Sequence, residues 1–116
     1  MVRHMPNHYV QLNRVFQALA DPTRRAVVER LGGGPVAMSE LARPFAMALP
    51  SFAQHLNVLA ACGLVRSRKK GRVRTYQLVP RPLKVAEQWM IEQRAIWERR
   101  LDQLDNYLKD LKEQKR

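Results

Sequence analysis

With 116 residues, 46% of them hydrophobic, the chain can fold as one globular domain around one modest core. No apolar stretch approaches the ~20 residues that span a bilayer, and the opening run MVRHMPNHY lacks the apolar segment of a secretory signal. A single cysteine excludes an intrachain disulfide framework, so the expected setting is the reducing cytoplasm.

Twenty-one Lys and Arg stand against ten Asp and Glu, a formal net charge of +11. The placement is uneven. Nine basic residues and no acidic one lie between Leu41 and Ala86, while seven of the ten acids fall from Glu87 to Glu113. Positive charge concentrated in the middle of the chain suits a polyanionic partner.

Tyr9, Leu12, Phe16 and Leu19 recur at helical spacing with Val15 beside them, which predicts a first helix of about three turns that Asn7 would cap. Asp21-Pro22 reads as an N-cap followed by a first helical residue, opening a second helix with Ala26, Val27 and Leu31 inward. Gly32-Gly33-Gly34-Pro35 ends it. A short third helix is expected over about 38–45, compromised in its last turn by Pro44. Pro50 then opens a fourth helix to about Ala61, with Leu49, Phe52, Leu56 and Leu59 inward and Gly63 as its left-handed cap. Two strands follow, one from Leu64-Val65 and one over Val73 to Leu78, joined by a turn at Gly71, with Tyr76 and Leu78 on one face. Pro80 and Pro82 punctuate, and from Leu83 one helical pattern runs for up to thirty residues. Four helices, a hairpin and a long helix, with helices three and four close together, give the expected fold class: mainly α with a β-hairpin wing, a winged helix-turn-helix. The expected organisation is a single domain over 1–116, with a core over 8–82 and a C-terminal helix over 83–113.

The fourth helix opposes its apolar side with Ser51, Gln54, His55 and Val58, and with Asn57 flanking. No charged residue occurs between Arg43 and Arg66. Neutral hydrogen-bonding side chains match the donor and acceptor pattern of base edges in a major groove, whereas an ordinary solvated face carries Glu and Lys. His55 has a second reading, as a hydrogen-bonded residue packing helix four against helix two. The hairpin places six cations in nine residues: Arg66, Arg68, Lys69, Lys70, Arg72 and Arg74. Such density repels itself unless phosphates neutralise it, and a wing lying along a DNA backbone supplies them. These ten positions, the four polar ones and the six cations, are the candidate contacts to double-stranded DNA.

The residues 16–25, Phe-Gln-Ala-Leu-Ala-Asp-Pro-Thr-Arg-Arg, resemble the ALADPTRR opening of the ArsR-type repressor family. Leu49-Pro50-Ser51-Phe52-Ala53-Gln54-His55-Leu56 resembles its recognition helix, and Leu59 to Val65 its L-x-x-x-G-L-V run. The likeness covers about residues 12–80. It implies a bacterial homodimeric repressor on an inverted-repeat operator. The family commonly carries Ser at the positions of Ala48 and Ala53, so the base contacts it implies here rest on Ser51, Gln54 and His55.

Many such repressors sense metals through a cysteine pair in helix three or through His and carboxylate ligands on the last helix. Residues 36–41 hold no cysteine, and the three histidines are His4, His8 and His55, so a non-metal-sensing member is implied. Cys62 is read as a small buried residue. No phosphate-binding loop and no nucleophile with an acid/base pair is found, so neither catalysis nor a cofactor is expected, and no small-molecule inducer is named by the sequence.

Along the last helix Met90, Trp97, Leu104 and Leu111 recur every seven residues, with Leu101 and Leu108 between them and Arg94 interrupting. This is a coiled-coil-like seam. By the resemblance its cover is the last helix of a second copy together with helix one, which adds Tyr9, Leu12 and Phe16 to an expected dimer interface. The alternatives are packing within one chain, a nonspecific nucleoid-type or RNA-binding protein using the same charge, and a protein-interaction module built on the last helix.

Overall fold

The computed structural model describes residues 7–114, with side chains from residue 10 onward. The expected cap Asn7, the interface residue Tyr9 and the imidazoles of His4 and His8 lie outside the described side chains. The elements in order are α1 (Asn7–Leu19), α2 (Pro22–Leu31), β1 (Val36–Ala37), α3 (Met38–Ala42), α4 (Leu49–Ala61), β2 (Val65–Lys70), β3 (Val73–Leu78) and α5 (Arg81–Gln114).

Helix α2 starts as its sequence dictates. Asp21 is extended, at φ −98° and ψ 132°, and its carboxylate accepts the Arg24 backbone N–H at 3.1 Å, with Pro22 in the first turn. The glycines after Leu31 end the helix, and Gly34, at φ 127°, holds a conformation that a side chain would strain. Helix α3 stops at Ala42 rather than near Phe45, because Pro44 has no N–H to continue the ladder. Helix α4 ends in a Schellman motif. Gly63 sits at φ 80°, its N–H reaches Ala60 O at 3.0 Å, and Leu64 N–H reaches Leu59 O at 3.0 Å.

The wing is one strand richer than expected. β1 pairs antiparallel with β3, Val36 opposite Tyr76 and Ala37 opposite Thr75, giving a three-stranded sheet in the order β1-β3-β2. Two residues are too few to show alternation, and the pairing partner lies some forty positions away in sequence.

The core gathers Val15 from α1, Val27 from α2, Leu41 from α3, Phe52, Leu56 and Leu59 from α4, and Leu64 just beyond it, all fully buried. Phe45 lies against Phe52 with ring centroids 5.2 Å apart, tying the α3–α4 turn to the core. Burying Phe52 completely is worth about 1.5–3 kcal/mol relative to leaving it in water. Cys62 is buried too, its thiol donating to Leu59 O at 3.3 Å.

Two expected placements need correction. Leu49, read as inward, is 55% exposed, because it opens α4 a turn before the core begins at Phe52. Leu12, assigned to a dimer interface, is only 5% exposed and belongs to its own chain's core, while Phe16 packs half-buried against that core. The inward stripe of α1 therefore runs through Leu12, Val15 and Ala18.

The chain divides after Ala86 into two compact units. The first keeps the opening of α5, where Pro82 and Ala86 are buried. The second is the remainder of α5. It exposes Met90, Trp97, Leu101, Leu104 and Leu108, with Trp97 and Leu101 each 61% accessible, and leaves Leu111 half-buried. Arg94 pairs with Glu98 at 3.5 Å, and the Arg100 guanidinium stands 5.7 Å from the Trp97 ring centre.

Candidate nucleic-acid interface

Helices α3 and α4 are joined by residues 43–48 and followed at once by the β2–β3 hairpin. At 100° per residue, burying Phe52, Leu56 and Leu59 turns Ser51, Gln54, Asn57 and Val58 to the other side of α4. All four are exposed. His55 falls at the boundary of the two sides and is half-buried. The exposed side of α4 thus offers a hydroxyl and two amides and no formal charge, which is a surface able to read base edges but weak in attracting phosphate.

The hairpin is complementary to it. Register pairs Val65 with Leu78, Ser67 with Tyr76 and Lys69 with Arg74 on the side that carries the buried Val65 and Tyr76. The other side carries Arg66, Arg68 and Lys70 opposite Gln77, Thr75 and Val73. Gly71, at φ 63°, and Arg72 form a two-residue loop, the pattern of a type II′ hairpin. All six cations are exposed. Only Arg74 has a side-chain hydrogen bond among the described residues, donating to Ser67 Oγ at 2.8 Å. No carboxylate neutralises any of the six within the described chain. Cations two apart on a strand stand ~6.7 Å from each other. The trough beside Arg66, Arg68 and Lys70, floored by Thr75 and Gln77, has a volume of about 450 Å³.

One cluster joins residues far apart in sequence. Asp21 and Arg24 at the start of α2 meet His55 of α4. Arg24 Nη1 lies 3.2 Å from His55 Nδ1, and Asp21 Oδ2 lies 3.7 Å from the same nitrogen. Arg24 also donates from Nε to Ala18 O at 2.7 Å and from Nη2 to Gln17 O at 3.1 Å, while Arg25 reaches Leu19 O at 2.7 Å. These carbonyls end α1 and have no partner inside it, and a cation is favoured at that end of a helix. The hydrogen bond from the Arg24 backbone holds the Asp21 carboxyl below its ordinary value, outweighing the opposing effect of desolvation. The packing of α4 against α2 expected of His55 is realised through its Nδ1, and the side chain remains 23% exposed at the edge of the polar side of α4. The Asp-Pro signal for the cap is visible in sequence, but the link across 31 residues to His55 leaves no periodic trace.

A helix-turn-helix domain family matches residues 19–68. An HTH-type transcriptional regulator of Mycobacterium tuberculosis is 51% identical over 72 residues, covering 62% of this chain and 67% of the relative. The transcriptional repressor SdpR of Bacillus subtilis is 34% identical over 80 residues, covering 69% of this chain and 89% of that protein. A crystal structure of an ArsR family transcriptional regulator superposes with a TM-score of 0.76 at 52% identity, covering 81% of this chain and 97% of that one. An ArsR-like regulator from Rhodococcus sp. RHA1 superposes with a TM-score of 0.71 at 35% identity, covering 85% and 93%. The chain belongs to the ArsR family of helix-turn-helix transcriptional regulators. As an ArsR-family protein it is a DNA-binding regulator of transcription, and the resemblance seen in residues 16–25 and 49–65 is borne out, as is the winged helix-turn-helix fold.

Within that family pattern, the two alanines have distinct consequences here. Ala48 is the N-cap of α4 and makes no side-chain cap bond, so the hydroxyl of the family pattern is missing as a cap. Ala53 is half-buried beside Phe52.

Proposed function

We propose that this ArsR-family protein represses transcription in the bacterial cytoplasm by occupying an inverted-repeat operator as a homodimer, acting by binding and not by catalysis. In this reading Ser51, Gln54, His55 and Asn57 of α4 face base edges of the major groove. Arg66, Arg68, Lys69, Lys70, Arg72 and Arg74 lie along phosphates. Met90, Trp97, Leu101, Leu104, Leu108 and Leu111 of α5 meet their counterparts in a second copy, with Phe16 and Tyr9 of α1 at its edge. The observation that carries the reading is the juxtaposition of an exposed, uncharged polar helix face with an adjoining hairpin whose six exposed cations lack carboxylate partners. The exposed apolar row on α5 supports the dimer, since a core this small leaves that row to a partner. The name of SdpR, a repressor, supports the sign of regulation.

Selection of bound duplexes from a random pool by the full chain tests it. The expected result is enrichment of a short inverted repeat, one half-site per subunit. A bound pool with no enriched sequence would leave a basic protein that holds nucleic acid without reading it.

A further inference from the structure

The Asp21–Arg24–His55 cluster carries more than packing. We infer that Arg24 is a positioning residue of the DNA-binding helix, fixing His55 as the neutral tautomer with its proton on Nε2 and so presenting that nitrogen from α4 as a hydrogen-bond donor to the bound duplex. The inference rests on the reading that α4 faces DNA.

The chemistry follows from what each group is able to do. A guanidinium has five N–H donors, no acceptor, and keeps its proton at any working pH. The Arg24 guanidinium is locked independently of the histidine, because Nε and Nη2 are already spent on Ala18 O and Gln17 O. Its Nη1 at 3.2 Å from His55 Nδ1 therefore requires a lone pair on Nδ1. A proton there would set N–H against N–H beside a positive charge. The one carboxylate in reach, Asp21 Oδ2, is farther from Nδ1 at 3.7 Å and already accepts the Arg24 backbone N–H at 3.1 Å. The single proton of the neutral ring is left to Nε2.

Nε2 has no hydrogen-bond partner within the described residues, yet no side-chain nitrogen or oxygen there is both buried and unpartnered. It therefore reaches solvent, consistent with a side chain 23% exposed. His55 stands one helical turn after Ser51, beside the exposed polar side of α4. A neutral, oriented N–H donor at that place fits an acceptor of the duplex, either a phosphate oxygen or a base-edge acceptor such as purine N7. Held by the α1–α2 corner through Arg24, it is pre-organised before binding.

Variants of the full chain separate this role from packing. His55→Asn puts an amide oxygen where Nδ1 stood and nothing where Nε2 stood, whereas His55→Gln reaches the Nε2 position with an amide and abandons Nδ1. Nitrogen NMR of ¹⁵N-histidine-labelled protein at neutral pH, assigned by the resonances missing in His55→Asn, should show a pyridine-like Nδ1 and a pyrrole-like Nε2 for His55. His55→Asn should melt with the wild type yet bind the selected operator about tenfold more weakly, the loss of one interfacial hydrogen bond. His55→Gln should bind more tightly than His55→Asn. Arg24→Met, which keeps the aliphatic stem, should turn the His55 signals into a mixture of tautomers. An equal loss on unrelated duplex assigns the acceptor to phosphate, and a loss confined to the operator assigns it to a base. A proton found on Nδ1 in the wild type, or operator binding by His55→Asn equal to wild type, overturns the inference even if Arg24→Met fails to fold. Gln54→Ala serves as reference. If it too binds the operator like the wild type, the assignment of α4 to DNA has failed, and if it alone weakens binding, only the Arg24–His55 role has.

Discussion

Helix α4 and the hairpin that follows it are separated by residues 62–64, yet they meet solvent in opposite ways. The exposed side of α4 carries no formal charge, while β2, the turn and β3 expose six cations. On the proposed function, the difference separates two jobs that a single surface does poorly. Phosphate contacts give affinity that is indifferent to sequence and falls with salt, whereas hydrogen bonds to base edges give discrimination with little long-range attraction. A charged α4 would adhere to any duplex and weaken its own selectivity. In that reading a neutral wing would leave α4 without long-range attraction to DNA.

The largest effect expected on this division comes from outside both regions. Leu101→Glu with Leu104→Glu places carboxylates on the exposed apolar row of α5, so it should dissociate the proposed dimer and abolish operator binding while the core of the first unit is untouched. Both regions then contribute from one half-site only, and the effective concentration that a linked second site provides is lost. Sedimentation with a binding titration checks it. A monomeric wild type, or a monomeric variant that still binds the full operator tightly, would show that one copy of each region suffices.

A smaller effect sharpens the α4 side of the comparison. Asp21 caps α2 next to His55, so Asp21→Ala should cost about 1 kcal/mol of stability at neutral pH. The sign of its pH dependence is set by the lowered carboxyl pKa. The charged cap is fully present above the ordinary value of 3.8, and its contribution disappears as pH falls from there through the lowered value in the folded chain. Thermal melts should therefore show wild type and Asp21→Ala converging in acid. A constant difference between them down to pH 2 would show that the cap does not depend on that charge.

How legible the molecule is in its sequence differs by element. The α2 cap, the Schellman end of α4 and the hairpin register follow from residues close together in sequence, namely Asp21-Pro22, Gly63 and the alternation around Gly71. The family pattern is equally readable, since it lies in contiguous runs. What escapes depends on distant partners. β1 exists because Val36 and Ala37 find Tyr76 and Thr75, and the His55 cluster exists because Arg24 is held by α1. The expectation for Leu49 fails for a related reason. Spacing reveals that a helix has an apolar side, but the neighbours decide which members of that side are covered.

The division of labour is tested most directly by one crossed salt titration, with Gln54→Ala and the triple variant Arg68→Ala, Lys70→Ala, Arg72→Ala each measured on the selected operator and on an unrelated duplex. Gln54→Ala should lose ~1–3 kcal/mol on the operator and little on the unrelated duplex, with its salt dependence unchanged. The triple variant should weaken on both duplexes alike, with the slope of log K against log salt reduced by about 0.9 for each phosphate that the wing no longer neutralises. Equal losses on both duplexes for Gln54→Ala, or a triple variant with an unchanged slope, would contradict the separation of reading from holding.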